Sequence, residues 1–227
     1  MKDYQGFKNN GNWYKGNLHS HTTVSDGMMT PEQSVEVYKQ HGYSFLALSE
    51  HDIYTDYREV YNTDGFIMIP AIEASAILYQ EEGSNKRLKI HHLHGILGTT
   101  EMQENAKAPL FKHMERVPAQ KYYGTWSGPE ISQNIADMLR DRGCVVTYNH
   151  PIWSRVTEEE FIHTEGVQAL EIFNYNTVLE SNTGYDVTYW DRMLRMGKKI
   201  NGFASDDNHN EGLFEDSCGG WICVQAP

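Results

Sequence analysis

Short apolar runs recur along this chain, and most of them end on a histidine or a carboxylate. Ser44-Phe-Leu-Ala-Leu-Ser49 reads as a buried strand running into Glu50-His51-Asp52. Gly65 to Glu73 is a second run, closing on a carboxylate, and Leu88 to Leu97 is a third that carries His91, His92 and His94. Cys144 to Tyr148 leads into Asn149-His150-Pro151, and Val167 to Phe173 into Asn174. Lys199 to Ala204 leads into Ser205-Asp206-Asp207-Asn208-His209. Helical patterns lie between these runs. Thr30-Pro31-Glu32 supplies an N-cap and a first-turn proline for a helix that Gly42 stops. Ile131, Ile135, Met138 and Leu139 share one helical face before Gly143, and a helix through Tyr189 to Arg195 ends at Gly197.

Strands alternating with helices predict a parallel sheet, and 227 residues suffice to close it into one α/β barrel domain spanning 1–227. Barrels of this kind carry their chemistry at the C-terminal ends of the strands. His51, Glu73, His150, Asn174 and Asp206 all fall there. Residues 99–128 show no clear period and are expected to form an insertion or flap beside the site.

Charge narrows the partners. Lysine and arginine total 19 against 31 aspartates and glutamates, a net charge of −12, which repels a phosphate backbone and argues against extended nucleic acid. No window approaches the roughly 20 apolar residues of a membrane span, and the first residues carry no apolar signal-peptide core. Cys144, Cys218 and Cys223 form no Cys-x-x-Cys pair, so a reducing, cytoplasmic setting is expected.

Part of the acidity belongs with the 11 histidines. His19-Ser20-His21 places two imidazoles on one face of an extended segment, with Asp26 shortly after. Nitrogen donors beside a hard oxygen donor suit a divalent transition metal. The full polar set at the run ends is His19, His21, Asp26, Glu50, His51, Asp52, Glu73, His92, His94, His150, Asp206 and His209. Singly, each has an ordinary explanation as a hydrogen-bonded or capping group. Jointly, so many groups converging on one barrel mouth would desolvate and repel one another without cations between them. His91 points to the other strand face, and His41, His113 and His163 sit on polar stretches, so these four are set aside.

The chain resembles the PHP (polymerase and histidinol phosphatase) superfamily of phosphoesterases. The resemblance rests on His19-Ser20-His21 with Ser25-Asp26-Gly27, Ser49-Glu50-His51-Asp52, Ile72-Glu73, Asn149-His150-Pro151 and Ser205-Asp206-Asp207-Asn208-His209, in the family's order. Trp13-Tyr14-Lys15-Gly16-Asn17-Leu18 further resembles the carbaryl-hydrolase-like branch. The resemblance implies a distorted seven-stranded (β/α) barrel with two or three divalent ions (Zn, Mn or Fe) at the C-terminal strand ends. It implies His19, His21, Glu73 and Asp206 around one ion. Glu73 would bridge to a second, held also by His150 and by a histidine of the third strand, His94 being preferred narrowly over His92. Asp26, His51 and His209 would hold a third. The chain stops at Pro227, soon after the apparent strand Gly220–Val224, where family members often continue, so a missing C-terminal element is an open expectation.

The activity implied is hydrolysis of a small phosphomonoester or phosphodiester by a metal-bridging hydroxide, which needs no nucleophilic side chain. Asp52 and His209 are candidates to protonate the leaving group. Arg155 is a candidate phosphate clamp, and Asn174 and Tyr175 are candidates to line the leaving-group pocket. The partner expected is a small phosphorylated metabolite or nucleotide. Two other readings stand beside this one: carboxyl-ester or carbamate hydrolysis on the same metals, and a non-catalytic PHP accessory module. Nothing in the sequence sets the oligomeric state.

Overall fold

Phe45–Leu48 is buried at every position, as a strand covered on both faces must be. It lies near the middle of a large mixed sheet in a computed structural model that describes residues 11–210 and 215–226. The strands are β1 (Asn12–Asn17), β2 (Phe45–Leu48), β3 (Ile53–Tyr54), β4 (Ile67–Tyr79), β5 (Arg87–Leu97), β6 (Glu115–Arg116), β7 (Gln120–Tyr123), β8 (Cys144–Tyr148), β9 (Ala169–Asn174), β10 (Asn201–Ser205) and β11 (Ile222–Ala226). The helices are α1 (Pro31–Gln40), α2 (Arg58–Tyr61), α3 (Thr100–Glu104), α4 (Gly128–Asp141), α5 (Tyr175–Ser181) and α6 (Val187–Arg195).

The sheet runs β10-β9-β8-β5-β4-β2-β1-β11, with β7 joined to β4 off this path. A parallel bridge between Ser20 and Asn208 draws the segments after β1 and β10 together, nearly closing a barrel. His21 N donates to Asn208 O at 3.1 Å there, and Asp207 N to His19 O at 2.9 Å. The path holds eight strands rather than seven because β11 adds an antiparallel strand to the outer edge of β1.

The expected all-parallel order is not what forms. β5 runs antiparallel to both β4 and β8. The reason is covalent: Gln80 to Lys86 is a tight turn, with Gln80 N donating to Lys86 O at 3.0 Å and Gly83 at φ +81°. A chain that short turns back on itself, whereas a parallel return needs a crossover of a dozen or more residues. β4 therefore continues well past Glu73, and β4 with β5 forms a long arm. Residues 99–128 contribute α3, β6 and β7; β6 pairs with β3 and β7 with the outer half of β4.

Helices cover the barrel by burying one face. α1 begins with a capping box, Thr30 accepting from Gln33 N and the Gln33 side chain accepting from Thr30 N. It presses Val35 and Tyr38 onto Leu46 and Leu48. α4 buries Ile131, Ile135, Ala136 and Leu139 in one cluster with Ile72, Leu93 and Val146, each large side chain contributing about 2 kcal/mol of transfer free energy. Among the described residues no helix is long and apolar enough to cross a membrane.

Candidate metal centre

The strand ends on one side of the barrel deliver their polar groups to a single point, and Glu73 occupies it. Its side chain is fully buried in the middle of β4. Oε1 lies 3.2 Å from His19 Nε2, 3.3 Å from His150 Nε2 and 3.4 Å from His92 Nδ1. Oε2 lies 2.9 Å from His51 Nδ1 and 3.5 Å from His21 Nε2. Asn149 Nδ2 donates to Oε1 at 2.7 Å. Five imidazoles thus surround one carboxylate.

Four sets of donor atoms lie close enough to share an ion: His19, His21, Glu73 and Asp207; His51, Glu73 and His92; His21, Asp26, His51 and His209; and His19, His150 and Glu171. A proton-only network does not satisfy this arrangement. His19 Nε2 and His21 Nε2 stand 3.1 Å apart and both face Asp207 Oδ1, at 3.0 and 2.9 Å. Burial lowers the His19 pKa, but Asp207, Glu73 and Glu171 outweigh it and raise it well above the ordinary histidine value. His21, next to it, is pushed well below the ordinary histidine value by burial and by His51 and His209. Burial would raise the Glu73 and Asp207 carboxyls, yet the surrounding histidines bring both well below their usual range, so they stay ionised. His21 Nδ1, His51 Nδ1, Glu73 Oε2, His92 Nδ1 and Asp207 Oδ1 remain buried without a hydrogen-bond partner. Buried lone pairs of this kind are costly unless something positive meets them. The donor set fits divalent cations.

The backbone is bent to make this possible. Asp52, His150 and Asp207 all have left-handed φ (57°, 27° and 55°), a cost of order 1–3 kcal/mol each that functional sites commonly carry. Gly27 is needed for a close approach: a Cβ there would lie 2.5 Å from His21 O. Glu50 fastens the same loop, accepting from Thr22 N at 3.0 Å, Ser25 N at 3.2 Å and both hydroxyls at 2.5 Å. It is an anchor for the segment that carries His21 and Asp26.

The aspartate in the cluster is Asp207, where Asp206 was expected. Asp206 points away into the barrel wall. Its carboxylate accepts from Tyr38 Oη at 2.6 Å and from the backbone N–H groups of Cys218, Gly219 and Gly220 at 2.8, 2.8 and 2.5 Å. The left-handed turn at Asp207 sends the two neighbours to opposite sides. His94, narrowly preferred on the third strand, is likewise displaced by His92. His94 packs edge-on against His19 with ring centroids 4.2 Å apart, and belongs to none of the four donor sets. His92 Nδ1 reaches Glu73 Oε1 at 3.4 Å although His94 is the residue directly opposite Glu73 and His92 stands opposite Ser75, one pleat further out along the arm.

None of the three residues expected to touch substrate lines the cleft that opens above the cluster. Arg155 is exposed on a left-handed turn (φ 59°) and lies outside the lining. Tyr175 is covered by the Gly219 backbone, whose Cβ would fall 2.2 Å from its ring. Asn174 points inward and acts as a brace, donating to Glu171 Oε2 at 3.0 Å and to Asp207 Oδ2 at 2.9 Å while capping α5 through Thr177 N. Asp52, His209 and Asp26 do line the cleft, whose volume is about 740 Å³. Burial raises the Asp52 carboxyl to about 6 despite its bond from Ser75 N. No residue of 99–128 is among the described lining residues; that segment braces the arm from outside.

Glu171 escaped the sequence pattern altogether. It is fully buried, accepts from His150 N at 3.0 Å, and lies 2.8 Å from His19 Nδ1. A carboxylate there fixes the proton on Nδ1 and leaves Nε2 as the donor atom of His19. The available signal was a single glutamate inside the apolar run Leu170-Glu171-Ile172.

No protein-family model and no curated protein matches the sequence. Solved structures do match in fold. A proposed metal-dependent phosphoesterase from Bifidobacterium adolescentis has a TM-score of 0.58 at 14% identity, covering 90% of this chain and 91% of that one. An amidohydrolase from Chromobacterium violaceum, with bound sulfate and no metal, gives 0.51 at 14% identity over 86% and 87%. A two-domain Bacteroides vulgatus protein containing a predicted PHP-like metal-dependent phosphoesterase gives 0.49 at 15% identity, covering 88% of this chain. The present chain spans 53% of that protein's length. Fold and donor set together define an α/β-barrel protein equipped to hold divalent cations where its strands end. The distorted barrel that the PHP resemblance implies is the fold observed.

Proposed function

We propose that this chain is a PHP-type metal-dependent phosphoesterase acting on a small phosphomonoester or phosphodiester. The observation that carries the reading is the convergence of five histidines and Asp207 around Glu73 at the floor of an open cleft. His19, His21, Glu73 and Asp207 would hold one ion; His51, His92 and His150 would hold a second that shares Glu73; Asp26 and His209 would hold a third with His21 and His51. Zinc, manganese and iron all suit this mixture of imidazole and carboxylate. Bound ions of this kind lower the pKa of water and neutralise charge growing on phosphoryl oxygens.

The rest is done by the protein. Glu171, Asn149 and Asn174 hold the inner donors at fixed angles, which spares reorganisation when charge develops. The cleft is lined by His51, His92, His150, Asp207 and His209, and the only serine, cysteine or lysine among its described lining residues is Ser75, so attack by a metal-activated water is the reading favoured. Asp52 lines the same cleft and would hand a proton to a departing oxygen, His209 serving instead toward the third ion.

Carboxyl-ester, carbamate or amide hydrolysis on the same donors is the second reading, favoured by the likeness to the Chromobacterium amidohydrolase. The Trp13–Leu18 stretch adds nothing to it: β1 pairs with β2 and β11 and lines no part of the cleft. A screen of manganese- and zinc-supplemented protein against phosphomonoesters, phosphodiesters, carboxyl esters and amides separates the readings. Turnover confined to phosphate esters is expected. Turnover of carboxyl esters or amides alone would overturn the phosphoesterase proposal.

A further inference from the structure

Beyond the donor residues, β4 and β5 continue as a two-stranded arm that walls the cleft. His92 stands opposite Ser75 and Ile90 opposite Ile77, so these pairs share faces as an undisturbed antiparallel ladder requires. Between Leu78 and Tyr79 the register slips by one residue, and Tyr79 faces Arg87 instead of Leu88. Because side chains alternate along a strand, one extra residue reverses which face the following ones occupy. The slip turns Arg87 onto the face of Ser75, Ile77 and His92, and these four line the same cleft. Without it Leu88 would hold that place.

Arg87 is the only lysine or arginine lining the cleft among the described residues; the other charged lining groups, histidines aside, are Asp26, Asp52, Glu180, Asp207 and Asp216. Arg87 is exposed, and its guanidinium makes no ion pair or hydrogen bond with the described residues. An arginine beside so many carboxylates would ordinarily be drawn into a pair. At about 3.3 Å per residue, the strand advances roughly 15 Å from His92 to Arg87. That advance leaves room for a connecting segment between a phosphoryl group at the donor cluster and the guanidinium.

Resting on the phosphoesterase reading, we infer that Arg87 is a specificity-determining residue: it selects phosphoesters whose leaving group ends in a second anionic group, a carboxylate or a phosphate. The planar guanidinium fork suits both, and each would be held bidentately at the far end of the cleft while the scissile phosphoryl group lies at the donor cluster. Ile77, between the two ends, gives the connecting segment an apolar wall.

A molecular ruler tests this. Manganese-loaded protein is titrated calorimetrically with methylphosphonate, with ω-carboxyalkyl phosphonates and with alkane-α,ω-bisphosphonates of increasing length; the matching ω-carboxyalkyl phosphates are assayed for turnover. Affinity is expected to peak at one chain length, about 5- to 20-fold above methylphosphonate, the range of a charge-assisted hydrogen-bonded contact. The carboxylate and bisphosphonate series distinguish which terminal anion is preferred. Arg87→Ala should erase the peak and leave methylphosphonate binding unchanged, and Arg87→Lys should restore part of it. An unchanged length profile in Arg87→Ala, or an equal loss for methylphosphonate, would overturn the assignment. An Arg87-dependent binding peak without turnover of any phosphate would keep the anion anchor and remove the phosphoesterase chemistry.

Discussion

Glu73 and Asp26 offer carboxylates to neighbouring donor sets from opposite surroundings. Glu73 is fully buried and held by Asn149, with His19, His51, His92 and His150 all within 3.4 Å. The Asp26 side chain is 52% exposed, its only ion-pair contacts among the described residues being His51 at 3.6 Å and His209 at 3.5 Å. The loop beneath it is pinned by Glu50, so the backbone is fixed while the carboxylate is free to turn. Preorganisation therefore falls off across the site. Inner donors lose little freedom on meeting a cation, whereas the rim set must order an exposed side chain first. Ions held as proposed would accordingly be tight inside and exchangeable at the rim.

Breaking the inner side should give the largest effect. Glu73→Gln is expected to strip bound transition metal and to lower phosphate-ester turnover well beyond the 10- to 100-fold typical of groups that merely support ligands. Asp26→Asn should lose a single ion's worth, and excess manganese should restore most of its activity. Elemental analysis after desalting, with turnover at low and high manganese, reads both. If the two variants lose equal metal, the site has no inner and outer halves.

How much of this was written in the sequence depends on whether a residue's direction follows from strand periodicity. His19, His21 and Glu73 were legible because alternation along extended segments fixes their faces. Asp206 and Asp207 were not separable: both follow the same apolar run, and a left-handed φ of 55° at Asp207 decides which one turns inward. His92 and His94 share a face, so alternation does not choose between them, and the strand register alone would favour His94, the residue opposite Glu73. Arg87 was hidden for the converse reason, since a register slip reverses the face that alternation predicts. Glu171 lay inside an apolar strand that pattern reading treats as core.

A smaller effect sharpens the inner side by separating metal holding from scaffolding. Asp207→Asn should lower metal content and turnover while leaving the melting temperature of metal-free protein nearly unchanged. Asp206→Asn should do the reverse. An amide in its place can accept from only some of Tyr38, Cys218, Gly219 and Gly220. Leaving a buried donor unmet costs about 1–3 kcal/mol, or roughly 2–12 °C at the 2–4 °C per kcal/mol of a domain this size. Calorimetric melting beside metal analysis decides the matter, and a metal loss in Asp206→Asn equal to that in Asp207→Asn would undo the reassignment.

The smallest effect tests what lies behind the inner donors. Asp186 is fully buried, accepts from Ile152 N at 3.1 Å and so steadies the loop after His150; its second oxygen has no partner. Burial lifts its carboxyl from 3.8 to about 7. A folded-state pKa above the unfolded one means that the folded protein binds the extra proton between roughly pH 4 and pH 7. Stability from this group is accordingly present at pH 4 and is lost as the pH rises through 7. Asp186→Asn resembles the protonated acid at every pH. Its melting temperature should match the parent at pH 4 and exceed it at pH 8. Melting curves of both proteins across that range measure the difference directly. A parallel pair of curves would mean that Asp186 ionises without cost, and that water reaches the ground behind His150.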